Sequence, residues 1–194
     1  DIVGIADQDK SKLHETNLPV FTDWREMLQD VSPDIVAIAT LPATHAGIAI
    51  ECMQAGKHVL IEKPLALSLS DAEAVIRIRD ETRRVAGIDF MMRFNPMLQS
   101  LQYLTQRETF GKLQRVAVEN YAQDEQLPAN HWFWQRDLSG GILIEHGVHF
   151  FDLVHFLFKK FFECCFPFLG FEYIFYLLCQ RTVIPCVFKD QDCL

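Results

Sequence analysis

Asp34-Ile35-Val36-Ala37-Ile38-Ala39-Thr40, the segment from Ala43 to Ala55, and His58-Val59-Leu60-Ile61-Glu62-Lys63 follow one another and decide the architecture. The outer two runs are short, apolar on both faces and rich in β-branched residues, which suits central strands of a parallel sheet. Between them Ile48, Ile50 and Met53 stand among small residues, and Gly56 follows as a stop for a helix. Strand, helix and strand with short joints make a βαβ unit, whose crossover is right-handed.

The same rhythm extends both ways. Upstream, Ile2-Val3-Gly4-Ile5-Ala6 is a further apolar run and ends in Asp7. The chain opens inside that run on Asp1, which reads as a missing N-terminus with the first strand of the sheet absent. Downstream, Ser70-Asp71-Ala72-Glu73 has the form of a capping box and opens a helix to about Arg84. Val85 to Met91 is a fourth strand. The expected fold is α/β, a doubly wound parallel sheet over 1–92.

At Phe94-Asn95-Pro96 the rhythm changes. A helix is expected from Pro96 to about Arg107. It leads through Gly111 into Leu113–Tyr121, where Val116 and Val118 alternate with Ala117 and Glu119. That alternation predicts a half-exposed strand of a second, mainly antiparallel sheet. A loop with Trp132, Trp134 and Gly140-Gly141 follows, then a helix from about Leu143 to Phe158. Residues 93–158 thus read as the beginning of a second domain. From Lys159 the period is lost and Phe and Cys dominate to Cys193. Residues 161–179 are strongly apolar, but Glu163, Pro167 and Glu172 interrupt them, against a membrane span. Residues 159–194 read as an atypical tail from a frame slip or mis-predicted exon, one that forms no part of the second sheet.

Of the 194 residues, 49% are hydrophobic and 23% charged, ordinary for a soluble globular protein. The net charge of -8 argues against nucleic-acid and anionic-membrane partners, which reward a basic face. No basic region followed by an apolar one opens the chain, so no export signal is read. Cys52 stands alone before the tail, whose cysteines match no zinc spacing. The bulk of the chain therefore reads as cytoplasmic, disulfide-free and without a metal.

In such sheets the ligand crevice lies at the carboxyl ends of the strands. Asp7 at a strand end is placed to accept hydrogen bonds from a ribose diol. The glycine-rich turn that belongs about 20 residues before it falls upstream of the chain. The plainer reading is a loop acid that starts a turn. Thr40-Leu41-Pro42-Ala43-Thr44-His45 joins a strand end to a helix start, or is a plain turn with Thr44 as cap and His45 exposed. Glu62, Lys63 and Pro64 close the next strand. A Lys there can take part in proton transfer, and the plainer reading is a charged strand end in solvent. In Gly140 to Asp152, Glu145, His149 and Asp152 share one face of a continuous helix, with His146 one turn before His149. A catalytic His with a carboxylate neighbour, a metal site and a polar stripe on a buried helix all fit that pattern.

Three strings then stand in order. Ala55-Gly56-Lys57-His58-Val59-Leu60-Ile61-Glu62-Lys63-Pro64 looks like "AGKHVLxEKP", Arg93-Phe94-Asn95-Pro96 like "RFxP", and Gly140 to Asp152 like "GGxLxDxGxHxxD". On these strings the chain resembles the Gfo/Idh/MocA family of oxidoreductases over roughly residues 1–158. The resemblance implies a Rossmann domain followed by an α/β domain on a large, mainly antiparallel sheet. It implies Lys63 near nicotinamide and substrate, His149 as proton acceptor or donor, and Asp152 as the acid that ends the motif. Glu145 departs from the family's usual Asp by one methylene. The implied catalytic set is Lys63, His149 and Glu145. The implied cofactor-binding set is Asp7, Thr40, Leu41, Pro42, His45, Glu62, Lys63, Pro64 and Arg93. NAD is expected over NADP, because Asp7, Gln8 and Asp9 put negative charge where a 2′-phosphate would lie, with Lys10 and Lys12 able to reach back. The implied function is NAD(P)-dependent hydride transfer between nicotinamide and a hydroxyl or carbonyl of a sugar, polyol or related small molecule. The alternative is a non-catalytic cofactor-binding regulator of the same fold, or an inactive fragment. Retention of both Lys63 and His149 favours an enzyme in the intact parent, a homo-oligomer on this resemblance, while the absent glycine-rich turn and second sheet imply that the fragment alone is inactive.

Overall fold

The computed structural model describes residues 1–13, 16–107, 109, 111, 114–121 and 126–158. Strand β1 (Ile5–Ala6) pairs in parallel with β2 (Val20–Phe21), and helix α1 (Trp24–Asp30) follows. Then come β3 (Ile35–Ile38), α2 (Pro42–Gln54), β4 (His58–Glu62), α3 (Leu69–Thr82) and β5 (Ala86–Asp89). β3, β4 and β5 form a second parallel sheet in that order. The βαβ rhythm is therefore present, in a Rossmann-type α/β fold. β2 and α1 carry too few apolar residues in sequence to announce themselves. Asp23 caps α1 by accepting from the Arg25 N–H at 2.8 Å.

The two sheet pieces have a simple relation to the 3-2-1-4-5-6 strand order of a dinucleotide-binding sheet. β2 and β1 correspond to its third and second strands, and β3, β4 and β5 to the fourth, fifth and sixth. Among the described residues no strand joins β1 to β3.

The core lies on one face of β3–β5. Val36, Ile38, Val59 and Ile61 alternate inward and pack with Ala49, Cys52 and Met53 of α2 and Ala72 and Val75 of α3. Each large side chain buried this way contributes about 1.5–3 kcal/mol. Ile35 and Leu60 point to the other face and stay 62% and 46% exposed. Burial of both strand faces, as read from the sequence, is thus found on one face only.

Three local expectations are corrected. α3 begins at Leu69, because Ser68 accepts from the Asp71 N–H (3.1 Å) and Asp71 reaches back to the Ser68 hydroxyl (2.6 Å). The capping box is therefore Ser68 to Asp71, two residues before the one read. Residues 114–121 carry no strand. Alternation makes a segment fit for a sheet, but a strand needs a paired neighbour, and no described residue pairs with it. The single helix from 143 to 158 is broken. After α4 (Pro96–Gln106), whose cap is Asn95, come α5 (Arg136–Ser139), α6 (Ile142–Glu145) and α7 (Val148–Leu157). No strand follows β5 among the described residues, so the second sheet is not seen there. The expectations for residues 159–194, a tail outside any sheet and no membrane span, lie outside the described residues. No helix of the described residues is long and apolar enough to cross a membrane.

Candidate active site

The carboxyl ends of β3 and β4 are tied together by one side chain. His45, in the first turn of α2, is 1% exposed. Its Nδ1 lies 2.7 Å from the Pro64 carbonyl and its Nε2 3.0 Å from the Thr40 carbonyl. The exposed His45 of the plainer reading is thus corrected. The ring faces inward and fixes the loop after β3 against the loop after β4. Leu41 is the α2 cap residue and Pro42 fills the first helical position, where a missing N–H costs nothing. Thr44 is inside the helix rather than its cap. Its hydroxyl meets the Thr40 hydroxyl at 2.7 Å and donates to the Leu41 carbonyl at 2.8 Å. Thr40 stays exposed, so the α2 N-terminus opens at the strand edge.

Glu62 ends β4 exposed, in register with Asp89 of β5. Lys63 turns the other way. Its ammonium donates to the Glu145 carbonyl (2.9 Å) and to the Glu145 carboxylate, both side chains being mostly buried. An ammonium has three donors, and Glu145 takes two of them. The extra methylene of Glu145, relative to the Asp expected at its position, spans the distance to Lys63. The Lys63 reading as a charge in solvent is therefore corrected.

Glu145, His149 and Asp152 do not share one helix face. The break between α6 and α7 separates Glu145 from His149, and Glu145 makes no hydrogen bond to His149. Asp152 is buried and paired with Arg93. His149 Nδ1 is buried without a hydrogen-bond partner. Its imidazole is held below the ordinary value, first by burial and then by the positive charges of Lys63 and His146, with Glu145 and Asp152 pulling the other way. The polar-stripe reading fails on the same facts, since each carboxylate has a basic partner. Among the described residues no three metal-ligating side chains converge.

Asn120 was missed in the sequence. Its Nδ2 lies 3.0 Å from His146 Nε2, and the His146 ring meets that of His149 edge to face at 6.3 Å. The contact spans 26 positions, and nothing local to Asn120 signals it.

Asp7 follows β1 and accepts from the Asp9 N–H at 2.8 Å, so the plain turn is present. Its carboxylate is also 3.6 Å from Lys12, so Lys12 does reach back. The residues present fit two parts of a dinucleotide. Asp7 offers an accessible carboxylate at a strand end for a ribose diol, and Thr40-Leu41-Pro42 offers a helix start beside the two tied loops. Arg93, also expected there, is paired with Asp152 through Nε and Nη2.

Two family profiles match the chain. One, described as "Oxidoreductase family, NAD-binding Rossmann fold", matches residues 1–90, and the other, described as "GFO/IDH/MocA C-terminal domain", matches residues 98–165. The chain is 42% identical over 134 residues to 4-carboxy-2-hydroxymuconate-6-semialdehyde dehydrogenase of Sphingobium, covering 68% of this chain and 41% of that protein. It is 30% identical over 135 residues to scyllo-inositol 2-dehydrogenase (NAD(+)) of Bacillus subtilis, covering 70% and 38%. The crystal structure of an oxidoreductase domain protein from Kribbella flavida superposes with a TM-score of 0.72 at 27% identity, over 82% of this chain and 45% of that one. The chain spans less than half the length of the curated relatives it matches.

Proposed function

The chain belongs to the GFO/IDH/MocA oxidoreductase family, and from that premise we propose that the complete protein is an NAD-dependent dehydrogenase of a small hydroxy compound, a sugar or polyol in the first instance. The observation that carries the reading is Lys63 at the end of β4, held by Glu145 of α6, next in the chain to α7, which carries His149. Lys63 keeps one ammonium donor beyond the two that Glu145 takes. His149 stands close enough for the Lys63 charge to depress its imidazole.

Asp7, Thr40, Leu41 and Pro42 would hold the cofactor, with His45, Glu62 and Pro64 shaping the two loops around it. NAD, when bound, supplies the hydride acceptor. His149 takes the proton of the substrate hydroxyl. Its Nδ1 is buried, so Nε2 is the nitrogen that does this. The depressed imidazole is neutral at physiological pH and ready to accept. Lys63 donates its third hydrogen bond to the same substrate oxygen and stabilises the charge that grows there as the proton leaves. Glu145 holds the ammonium in place. Asp7 favours NAD over NADP by repelling a 2′-phosphate, a preference that Lys12 lessens by pairing with it. The family resemblance supports a homo-oligomer, and the lone Cys52 ahead of residue 159 supports a cytoplasmic location.

Purified full-length protein, mixed with NAD and a panel of inositols, sugars and hydroxy acids, is expected to form NADH with at least one of them. Tight NAD binding with no turnover across the panel would contradict the enzyme reading and favour a cofactor-binding regulator.

A further inference from the structure

Asp152 is 1% exposed, and the Arg93 guanidinium grips its carboxylate two-handed, with Nε 2.9 Å from Oδ2 and Nη2 2.5 Å from Oδ1. The guanidinium also lies near the rings of Phe90 (5.4 Å) and Phe156 (5.6 Å). The partners come from different parts of the chain. Arg93 belongs to the short turn Met91–Phe94 that leaves β5, the last strand of the sheet. Asp152 belongs to α7, three residues and one helical turn after His149. Beside them Phe90 and Val148 form a small buried apolar cluster, with Ile88 and Phe151 packed on it.

The two kinds of contact do different things. Apolar packing is non-directional, so it draws α7 to the end of β5 without choosing the rotation of the helix about its axis. Two parallel charge-assisted hydrogen bonds are directional and do choose it. A buried ion pair is often no more stabilising than apolar residues of the same volume. What this pair supplies is orientation.

We propose that Arg93 and Asp152 are positioning residues, a clamp that locks α7 against the end of β5 and so sets where His149 stands in the site. The inference rests on the role given to His149 above. It gives Arg93 a role other than the cofactor contact expected of it.

Among the described residues the charged groups that act on His149 are Lys63 from the end of β4, Glu145 and His146 from α6 and the turn after it, and Asp152 from α7, and Arg93 pairs with Asp152. Arg93→Gln removes a positive charge beside Asp152 and favours imidazolium, so His149 titrates at higher pH. Asp152→Asn removes a negative charge that favours imidazolium, so His149 titrates at lower pH. Arg93→Lys keeps the charge but loses the fork, so the titration stays near wild type while the geometry slackens. The test is a nuclear magnetic resonance titration of labelled histidines in full-length wild type and the three variants, with unfolding transitions and kcat measured alongside. The expected result is opposite displacements for Arg93→Gln and Asp152→Asn. Arg93→Lys should lose roughly 10- to 100-fold in kcat, as a displacement of about 1 Å can do, with KM for NAD within about twofold. Folded variants with wild-type titration and wild-type kcat would overturn the clamp. If the first two fail to fold, an unchanged kcat in Arg93→Lys overturns it alone. If wild type itself shows no turnover, the failure belongs to the proposed activity, and the His149 ring resonances decide the clamp: displaced from wild type in Arg93→Lys they support it, and unchanged they overturn it.

Discussion

Lys63 and His149 are 86 positions apart in the chain, and the Lys63 charge bears on the His149 imidazole. Burial and the Lys63 charge both hold the imidazole below its ordinary value of about 6.5. The base must be neutral to take a proton. The profile of kcat/KM should therefore be flat at neutral pH and fall on the acid side with a midpoint below about 6.5. Lys63→Ala removes one of the two cations that depress His149, so its residual activity should fall off at a higher pH than wild type. A midpoint that moves down in Lys63→Ala would show that the two groups do not face each other. The positions of the two residues were legible from local strings: Lys63 follows the last residue of a strand, and His149 follows a glycine-rich turn. Their partners were not legible. Lys63–Glu145 spans 82 positions and Arg93–Asp152 spans 59, and no periodicity records which acid meets which base. His45 misled for a related reason, since position in a first helical turn says nothing about carbonyls arriving from a distant loop.

At the scale of elements, the informative feature is the break between α6 and α7. The Gly147 N–H donates to the Ile142 carbonyl at 3.0 Å, a five-residue reach that widens the turn and ends α6. A Cβ at Gly147 would lie 2.4 Å from the Leu143 carbonyl oxygen, which is backbone and has no room to give. Gly147→Ala should therefore move α7, costing on the order of 1–3 kcal/mol in stability and most of the activity. Gly47, inside α2 with open space around its missing Cβ, gives the opposite expectation. Gly47→Ala should stabilise by about 0.5–1 kcal/mol, because alanine has less backbone freedom to lose. Denaturant unfolding of the two variants checks both signs. Local signals revealed α2, by its apolar residues and the Gly56 stop, α3, by a capping pattern, α4, by the change of rhythm at Pro96, and the stretch holding α7, since each signal lies within one segment. They passed over the break, because Gly147 sits in a stretch whose apolar pattern continues on either side.

At the scale of the whole molecule, the β3–β5 sheet is, among the described residues, buried on one face and exposed on the other. Ile61 is fully buried and its neighbour Leu60 is not. Ile61→Ala should cost about 2–5 kcal/mol, whereas Leu60→Thr should stay within about 0.5 kcal/mol. Equal losses in a denaturant titration would mean that both faces are covered. The parallel sheet was legible because a strand, a helix and a strand in short succession leave one right-handed solution. The second sheet was not tested by its own residues in the same way. Strand pairing is non-local, and the alternation at 116–119 states only that the segment suits a sheet. The most direct test of the proposed chemistry is His149→Ala in the full-length protein, with turnover and NAD affinity measured on the same preparation. Loss of the proton acceptor should lower kcat by roughly 10²–10⁴ while the Kd for NAD stays within about threefold, well under the 1.4 kcal/mol that a tenfold change represents. Turnover equal to wild type would contradict the assignment of His149, and with it the claim that this sheet edge is a hydride-transfer site.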